Sequence, residues 1–152
     1  MKLNILTVLI ILFFCACDKK DEETKPRNEL LTQKPWKLTA SNIDPPVFVE
    51  NADSAVTDLY IHLPACEKDN VYIFGKDSRY TLEEGDIKCG SFLVIESGTW
   101  ILDEEGNIIS LNANGEFQYD MKILELGNSK MKVEFSKPGE YADHVFTNTY
   151  SH

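Results

Sequence analysis

The chain has 152 residues, of which 43% are hydrophobic, and its 25 acidic and 15 basic side chains give a formal net charge of −10 at pH 7. A chain this acidic is repelled by nucleic acids and by anionic membrane surfaces, which argues against both as partners bound through charge. Once a short N-terminal segment is set aside, the remaining length suffices for one domain with a hydrophobic core.

The N-terminus carries an export signal. Lys2 precedes an apolar run, residues 5–14, which is too short to span a bilayer, and Ala16 stands directly before Cys17. The segment Phe14-Cys15-Ala16-Cys17 resembles the bacterial lipobox, in which cleavage occurs before the last cysteine and acyl chains such as palmitate are attached to it. We therefore expect residues 1–16 to be a lipoprotein signal peptide and Cys17 to be the lipid attachment site. The alternative is an ordinary secretory signal that happens to contain cysteines.

A polar, charged stretch follows the signal. Residues 17–30 contain no large apolar side chain before Leu30, so we expect a lipidated cysteine and a flexible tether with a reach on the order of 20 Å. The run Lys20-Asp21-Glu22-Glu23 resembles the signal that sends lipoproteins of Bacteroidetes to the outer face of the outer membrane; the alternative is a generic charged tether. The expected location is the bacterial cell envelope, anchored by lipid in the outer membrane, with the inner or outer face left open.

Residues 31–152 show the alternation typical of short strands. Met131, Val133 and Phe135 alternate with polar residues, and clusters of Gly, Asn, Asp and Pro separate eight such segments. Eight sequential strands without a long helical crossover predict an all-β fold, an eight-stranded antiparallel up-and-down barrel, because closure removes exposed strand edges. The apolar residues fall at odd positions up to Ile123 and at even positions after it. A bulge there is expected to return Leu124 and Leu126 to the core.

One region departs from the alternation. Ala52, Val56 and Tyr60 have helical spacing, and Leu63-Pro64 would end a helix. The sequence therefore predicts a short helix in the first long loop, over residues 52–60. Residues 53–60 could cover one end of the barrel as a lid.

Two cysteines remain after processing, Cys66 and Cys89. Export implies an oxidising route, and an even number of thiols favours a disulfide. A hairpin centred on Lys76-Asp77 would pair Phe74 with Arg79 and bring the two cysteines nearly opposite each other. A redox couple or a metal site is the alternative, but there is no Cys-x-x-Cys motif and no suitably spaced histidine.

These segments together resemble the lipocalin-like domain lipoproteins common in Bacteroidetes. The resemblance is carried by residues 31–38 (LTQKPWKL), by residues 63–70 (LPACEKDN) with the later Cys89, by Phe74 with Tyr80, and by Gly98-Thr99-Trp100. It covers nearly the whole domain and implies an eight-stranded lipocalin-like barrel on a lipid anchor.

Nothing in the sequence predicts catalysis, a cofactor or a metal site, since there is no nucleophile elbow, phosphate-binding glycine loop or calcium loop. Eight strands enclose an interior that either fills with side chains or holds one small molecule. If it is hollow, a small and mainly apolar ligand is expected to contact the inward aromatic residues Trp36, Phe74, Tyr80, Trp100, Tyr119 and Phe135. If it is filled, the expected partner is an envelope protein or a polysaccharide contacted by the loops.

Overall fold

A computed structural model describes residues 25–50, 52–90, 94–113, 117–139 and 141–152. The predicted signal peptide and the lipid attachment site, Cys17, lie outside these residues. The helices are α1 (Arg27–Thr32) and α2 (Ala65–Lys68), with a 3₁₀ helix at Tyr60–His62. The strands are β1 (Trp36–Val47), β2 (Val56–Asp58), β3 (Val71–Phe74), β4 (Arg79–Glu83), β5 (Val94–Leu102), β6 (Ile108–Ala113), β7 (Phe117–Leu126), β8 (Lys130–Phe135) and β9 (Val145–Ser151).

The strands form one closed antiparallel sheet. From β3 to β9 each strand pairs with the next along the chain, and β1 pairs with both β3 and β9, so that eight strands close the barrel. This confirms the predicted all-β, up-and-down barrel. The short β2 lies outside the closure, on the edge of β1 that β3 leaves unpaired.

The helix predicted over residues 52–60 is wrong. Val56–Asp58 form β2, in which Asp58 pairs with Asn42 and Val56 with Val47 of β1. β1 has 12 residues but pairs with β3 only at Trp36 and Lys37, so its far half needs hydrogen-bond partners on that edge. Pairing with the β-branched segment satisfies those groups and outweighs the helical spacing. The prediction that this loop contains a short helix is confirmed at other residues: the 3₁₀ helix covers Tyr60–His62, and α2 begins directly after Pro64.

The predicted hairpin is off by one residue. Phe74 pairs with Tyr80 rather than with Arg79. The backbone N–H of Gly75 donates to the Arg79 carbonyl at 2.7 Å, and Ser78 adopts a left-handed conformation at φ +63°. This extra residue in the turn shifts the register, as in hairpin loops that carry a bulge. The predicted disulfide is nevertheless confirmed: Cys66 and Cys89 are bonded, with their Cα atoms 5.2 Å apart.

The predicted bulge in β7 is present, since the pairing with β8 shifts between Ile123 and Glu125. Of the two leucines that the bulge was expected to return to the core, only one lies there. Leu126 packs against the core, whereas Leu124 is 44% exposed because it is the inserted residue without a partner in the register.

Helix α1 packs against one end of the barrel, which we call the α1 end. Leu30 and Leu31 are buried, and the Arg27 guanidinium donates to the Gly106 carbonyl in the β5–β6 turn at 2.7 Å. Residues 27–30, which were predicted from the sequence to be part of the tether, therefore belong to α1. The other end, reached by the β4–β5 and β8–β9 connections, is called the mouth.

Candidate functional site

The half of the barrel next to α1 is filled with side chains. The indole N–H of Trp36 donates to the Leu31 carbonyl at 2.9 Å, and that of Trp100 donates to the Gly75 carbonyl at 3.0 Å. The Phe74 ring meets Trp100 edge to face, with centroids 5.6 Å apart. All three aromatic side chains are buried, so this half is a packed core.

The half next to the mouth contains a cavity of about 270 Å³. Its walls come from β1, β3, β4, β7, β8 and β9, and its cover comes from residues 59–70, which we call the covering segment. The apolar side chains that line it are Leu38, Leu59, Leu63, Leu82, Met121, Phe135 and Phe146. The volume lies slightly below the range of about 300–1,000 Å³ typical of ligand pockets, which fits a small molecule.

The covering segment is attached on both sides. At its start, the Leu59 N–H donates to the Ser41 carbonyl of β1 at 2.8 Å. At its end, the Cys66–Cys89 disulfide and a hydrogen bond from the Ile87 N–H to the Asp69 carboxylate, 2.8 Å long, link it to the β4–β5 connection. These links hold the segment over the cavity.

A second, more superficial cavity of about 620 Å³ lies beside the disulfide and shares Glu67, Asn70 and Leu82 with the first. The Glu84 carboxylate at its edge accepts hydrogen bonds from the Cys89 and Gly90 N–H groups at 2.9 and 3.1 Å. The two cavities are therefore adjacent at the mouth.

Buried tyrosines form much of the polar surface inside the barrel. The Tyr72 and Tyr119 hydroxyls lie 3.5 Å apart, the Tyr80 hydroxyl donates to Glu96 Oε1 at 2.5 Å, and Tyr150 Oη accepts from the Asn148 amide at 3.0 Å. Burial raises the pKa of Tyr72 and of Tyr150 well above its usual value, and neighbouring tyrosines add to the effect. Both hydroxyls are therefore neutral at physiological pH and serve as hydrogen-bonding groups rather than as bases.

Two amide oxygens at the cavity lack a partner. Asn70 and Asn148 both line it, and the Oδ1 atom of each is buried without a hydrogen bond from any described residue. Ser41, Glu67 and Lys137 complete the polar part of the lining. The Lys137 ammonium lies 5.9 Å from the Phe135 ring centroid and 5.8 Å from that of Phe146.

The structure separates the six residues predicted to contact a ligand. Phe135 lines the cavity, and Tyr119 lines a small depression beside Glu96 and Lys137. Trp36, Phe74, Tyr80 and Trp100 do not line the cavity; they belong to the hydrophobic core. They point inward as expected. Trp36, Phe74 and Trp100 pack at the α1 end, where the interior is filled, whereas the Tyr80 hydroxyl donates to Glu96.

The predicted set of ligand-contacting residues omitted those of β9 that face the cavity. Phe146, Asn148 and Tyr150 alternate along the strand and all line the cavity. An asparagine between two aromatic residues on the inward face was the signal available, because a polar residue at such a position needs a partner inside the barrel.

The arrangement of the titratable side chains does not indicate a metal site. Within the described ranges no group of three or more His, Cys, Asp or Glu side chains could hold a metal ion. Likewise, none of the helices in the described part of the chain is both long and apolar enough to cross a membrane.

A closed eight-stranded barrel that is filled at one end and hollow at the other has the architecture of ligand-binding β-barrels. The family model for the lipocalin-like domain matches residues 33–133, from just before β1 into β8, and the chain belongs to this family. This confirms the lipocalin-like domain that the sequence resemblance predicted. Members of the family are generally non-catalytic. A search of curated proteins found no match.

Proposed function

We propose that this protein is a non-catalytic binding module that holds a small, mainly apolar molecule in the mouth half of its barrel. The observation that carries the proposal is the cavity of about 270 Å³ between the packed core and the covering segment. Enclosing about 150 Å² of apolar ligand surface against its leucines and phenylalanines would stabilise the complex by roughly 4 kcal/mol before the costs of association.

We further propose that the module is a lipoprotein of the bacterial cell envelope, anchored through Cys17, with the outer membrane as its location. The position of α1 supports a specific orientation of the barrel relative to the membrane. Residues 18–26 link the proposed anchor to α1 and reach about 15–18 Å as a flexible chain, so the lipid would hold the α1 end of the barrel near the membrane. The mouth then faces away from the bilayer and takes its ligand from the aqueous side.

Native mass spectrometry of the protein purified from its own cells tests the binding proposal. We expect a bound molecule that is lost on denaturation. Leu63→Trp, which places an indole at the cavity, should abolish the adduct, whereas Ile61→Trp in the same covering segment should retain it because Ile61 is 63% exposed. Equal loading of the two variants, or an unloaded wild type that also binds no apolar probe, would contradict the proposal.

A second candidate is an interaction module that contacts an envelope protein or a polysaccharide. Three exposed apolar side chains near the mouth favour it: Phe48 is 79% exposed, Ile61 63% and Ile87 51%. Crosslinking from these positions in intact cells tests this function. A specific partner lost in a Phe48→Ser variant is the expected result, and crosslinks no different from those at Thr39, an exposed residue of β1, would exclude it.

A further inference from the structure

Asn148 and Ser41 are the two buried polar side chains at the cavity apart from its tyrosines. Asn148 is only 9% exposed and stands on the inward face of β9 between Phe146 and Tyr150. Its Nδ2 group donates to the Tyr150 hydroxyl at 3.0 Å, but its Oδ1 atom accepts no hydrogen bond from the described residues. One half of this amide is therefore held in place, and the other half is left with an unused acceptor.

Asn70 also has an unused acceptor. It lies between α2 and β3, at the end of the covering segment, and its buried Oδ1 atom also has no partner within the described ranges. Both asparagines line the same cavity. Two residues from distant parts of the chain, each with an unused acceptor, thus line one cavity.

The energetics of these oxygens constrain what can bind beside them. A buried polar atom without a hydrogen bond has lost its hydration and gained nothing in return. A wholly apolar ligand would leave both oxygens in that state, whereas a ligand with a hydrogen-bond donor would satisfy at least one of them.

The charges at the cavity indicate what kind of donor fits. Lys137 and Glu67 both line it, so groups of opposite sign stand at the same site and neither sign dominates. A charged ligand group would also lose its hydration deep in the barrel, which costs far more than burying a neutral one. The arrangement therefore favours a neutral donor.

We propose that the ligand is an amphiphilic alcohol whose hydroxyl group donates to Oδ1 of Asn148 or Asn70, while its apolar body packs against Phe135, Phe146 and the leucines of the cavity. The Tyr150 hydroxyl fixes the Asn148 amide from the other side. This inference rests on the proposed function and specifies the ligand class.

Four probes with the same eight-carbon tail test the inference: octanol, octyl methyl ether, octylamine and octanoate. Their dissociation constants are measured by displacement of a fluorescent apolar dye from the folded domain. Octanol should bind about tenfold more tightly than the ether, which accepts but cannot donate, as expected for one additional hydrogen bond to a buried acceptor. It should also bind more tightly than the amine and the carboxylate.

Asn148→Leu and Asn70→Leu identify the acceptor. At least one of them should reduce the preference for octanol over the ether to about twofold or less while leaving ether binding intact. Asn42→Leu, at an exposed position of β1, is the matched control and should keep the full preference. The wild-type ratio alone tests the inference if a variant fails to fold.

The outcomes separate the inference from the function on which it rests. Equal binding of octanol and the ether, or tighter binding of the amine or the carboxylate, would overturn the alcohol assignment and leave the binding function standing. Failure of all four probes and of the dye to bind would overturn both.

Discussion

Removing the disulfide by the double substitution Cys66→Ala and Cys89→Ala is expected to lower the free energy of unfolding by about 3 kcal/mol. The bond closes a loop between residues separated by 23 positions, and the chain-entropy model assigns roughly that value to a loop of this size. The melting temperature should fall by about 10 °C for a domain of this length.

The same substitution should weaken ligand binding, because the disulfide joins the covering segment to the β4–β5 connection beside the cavity. Without it, the hydrogen bond from the Ile87 N–H to the Asp69 carboxylate is the remaining described link at that end. We expect the double variant to bind octanol more weakly than the wild type does.

The assay is urea unfolding followed by tryptophan fluorescence, since Trp36 and Trp100 are both buried in the core. Reductant added to the wild type should reproduce the double variant, and the double variant should not respond to reductant. A stability loss below about 1 kcal/mol, together with unchanged octanol affinity, would refute the view that this bond holds the cover in place.

Two further predictions concern the core and the α1 end. The pKa values of Tyr72 and Tyr150 are raised above the ordinary value of 10, mainly by burial, so the unfolded chain loses these protons at lower pH than the folded chain does. The free energy of unfolding should therefore fall as pH rises above 10, by about 1.4 kcal/mol per pH unit for each tyrosine. Urea unfolding midpoints measure this slope, and Tyr150→Phe should reduce it. Gly106→Ala should destabilise the domain by about 1–3 kcal/mol, because φ is +73° and a Cβ would lie 2.7 Å from Cδ of Arg27.

Each of these has a result that would count against it. An alkaline slope unchanged in Tyr150→Phe would mean that this tyrosine ionises equally easily in the folded and unfolded chains. For the glycine, Gly139→Ala is the control, since φ is +100° there but no atom lies within 4 Å of the added Cβ. If the two alanine variants lose equal stability, the contact with Arg27 contributes nothing.

The sequence predicted the barrel because alternation is a local property of each strand. Segments such as residues 131–135 show an inward and an outward face without reference to their neighbours, and the turn residues mark where each strand ends. The disulfide followed from counting cysteines and from a hairpin that was nearly correct. The one-residue error at Ser78 did not matter, since a disulfide tolerates some variation in Cα separation.

The helix predicted over residues 52–60 failed for the opposite reason. The helical spacing is a local property of the segment, whereas the competing interaction is its pairing with β1. That pairing needs the unpaired edge of β1, which exists only once β1 and β3 have diverged in the folded barrel. Tertiary hydrogen bonding then outweighed a weak helical preference.

By itself, the sequence determined the class of fold, the covalent link between residues 66 and 89, and which aromatic side chains point inward, since these depend on periodicity, cysteine number and turn chemistry. Tertiary structure alone decided which end of the barrel is filled. Helix α1 packs against one end, where Trp36 and Trp100 complete the core, while the covering segment spans the other and leaves a cavity lined by both Asn70 and Asn148. The physical reason is that the position of a residue along its own strand decides whether its side chain points into the barrel. How far along the barrel axis that side chain lies depends on the stagger of the strands and on the segments that close each end.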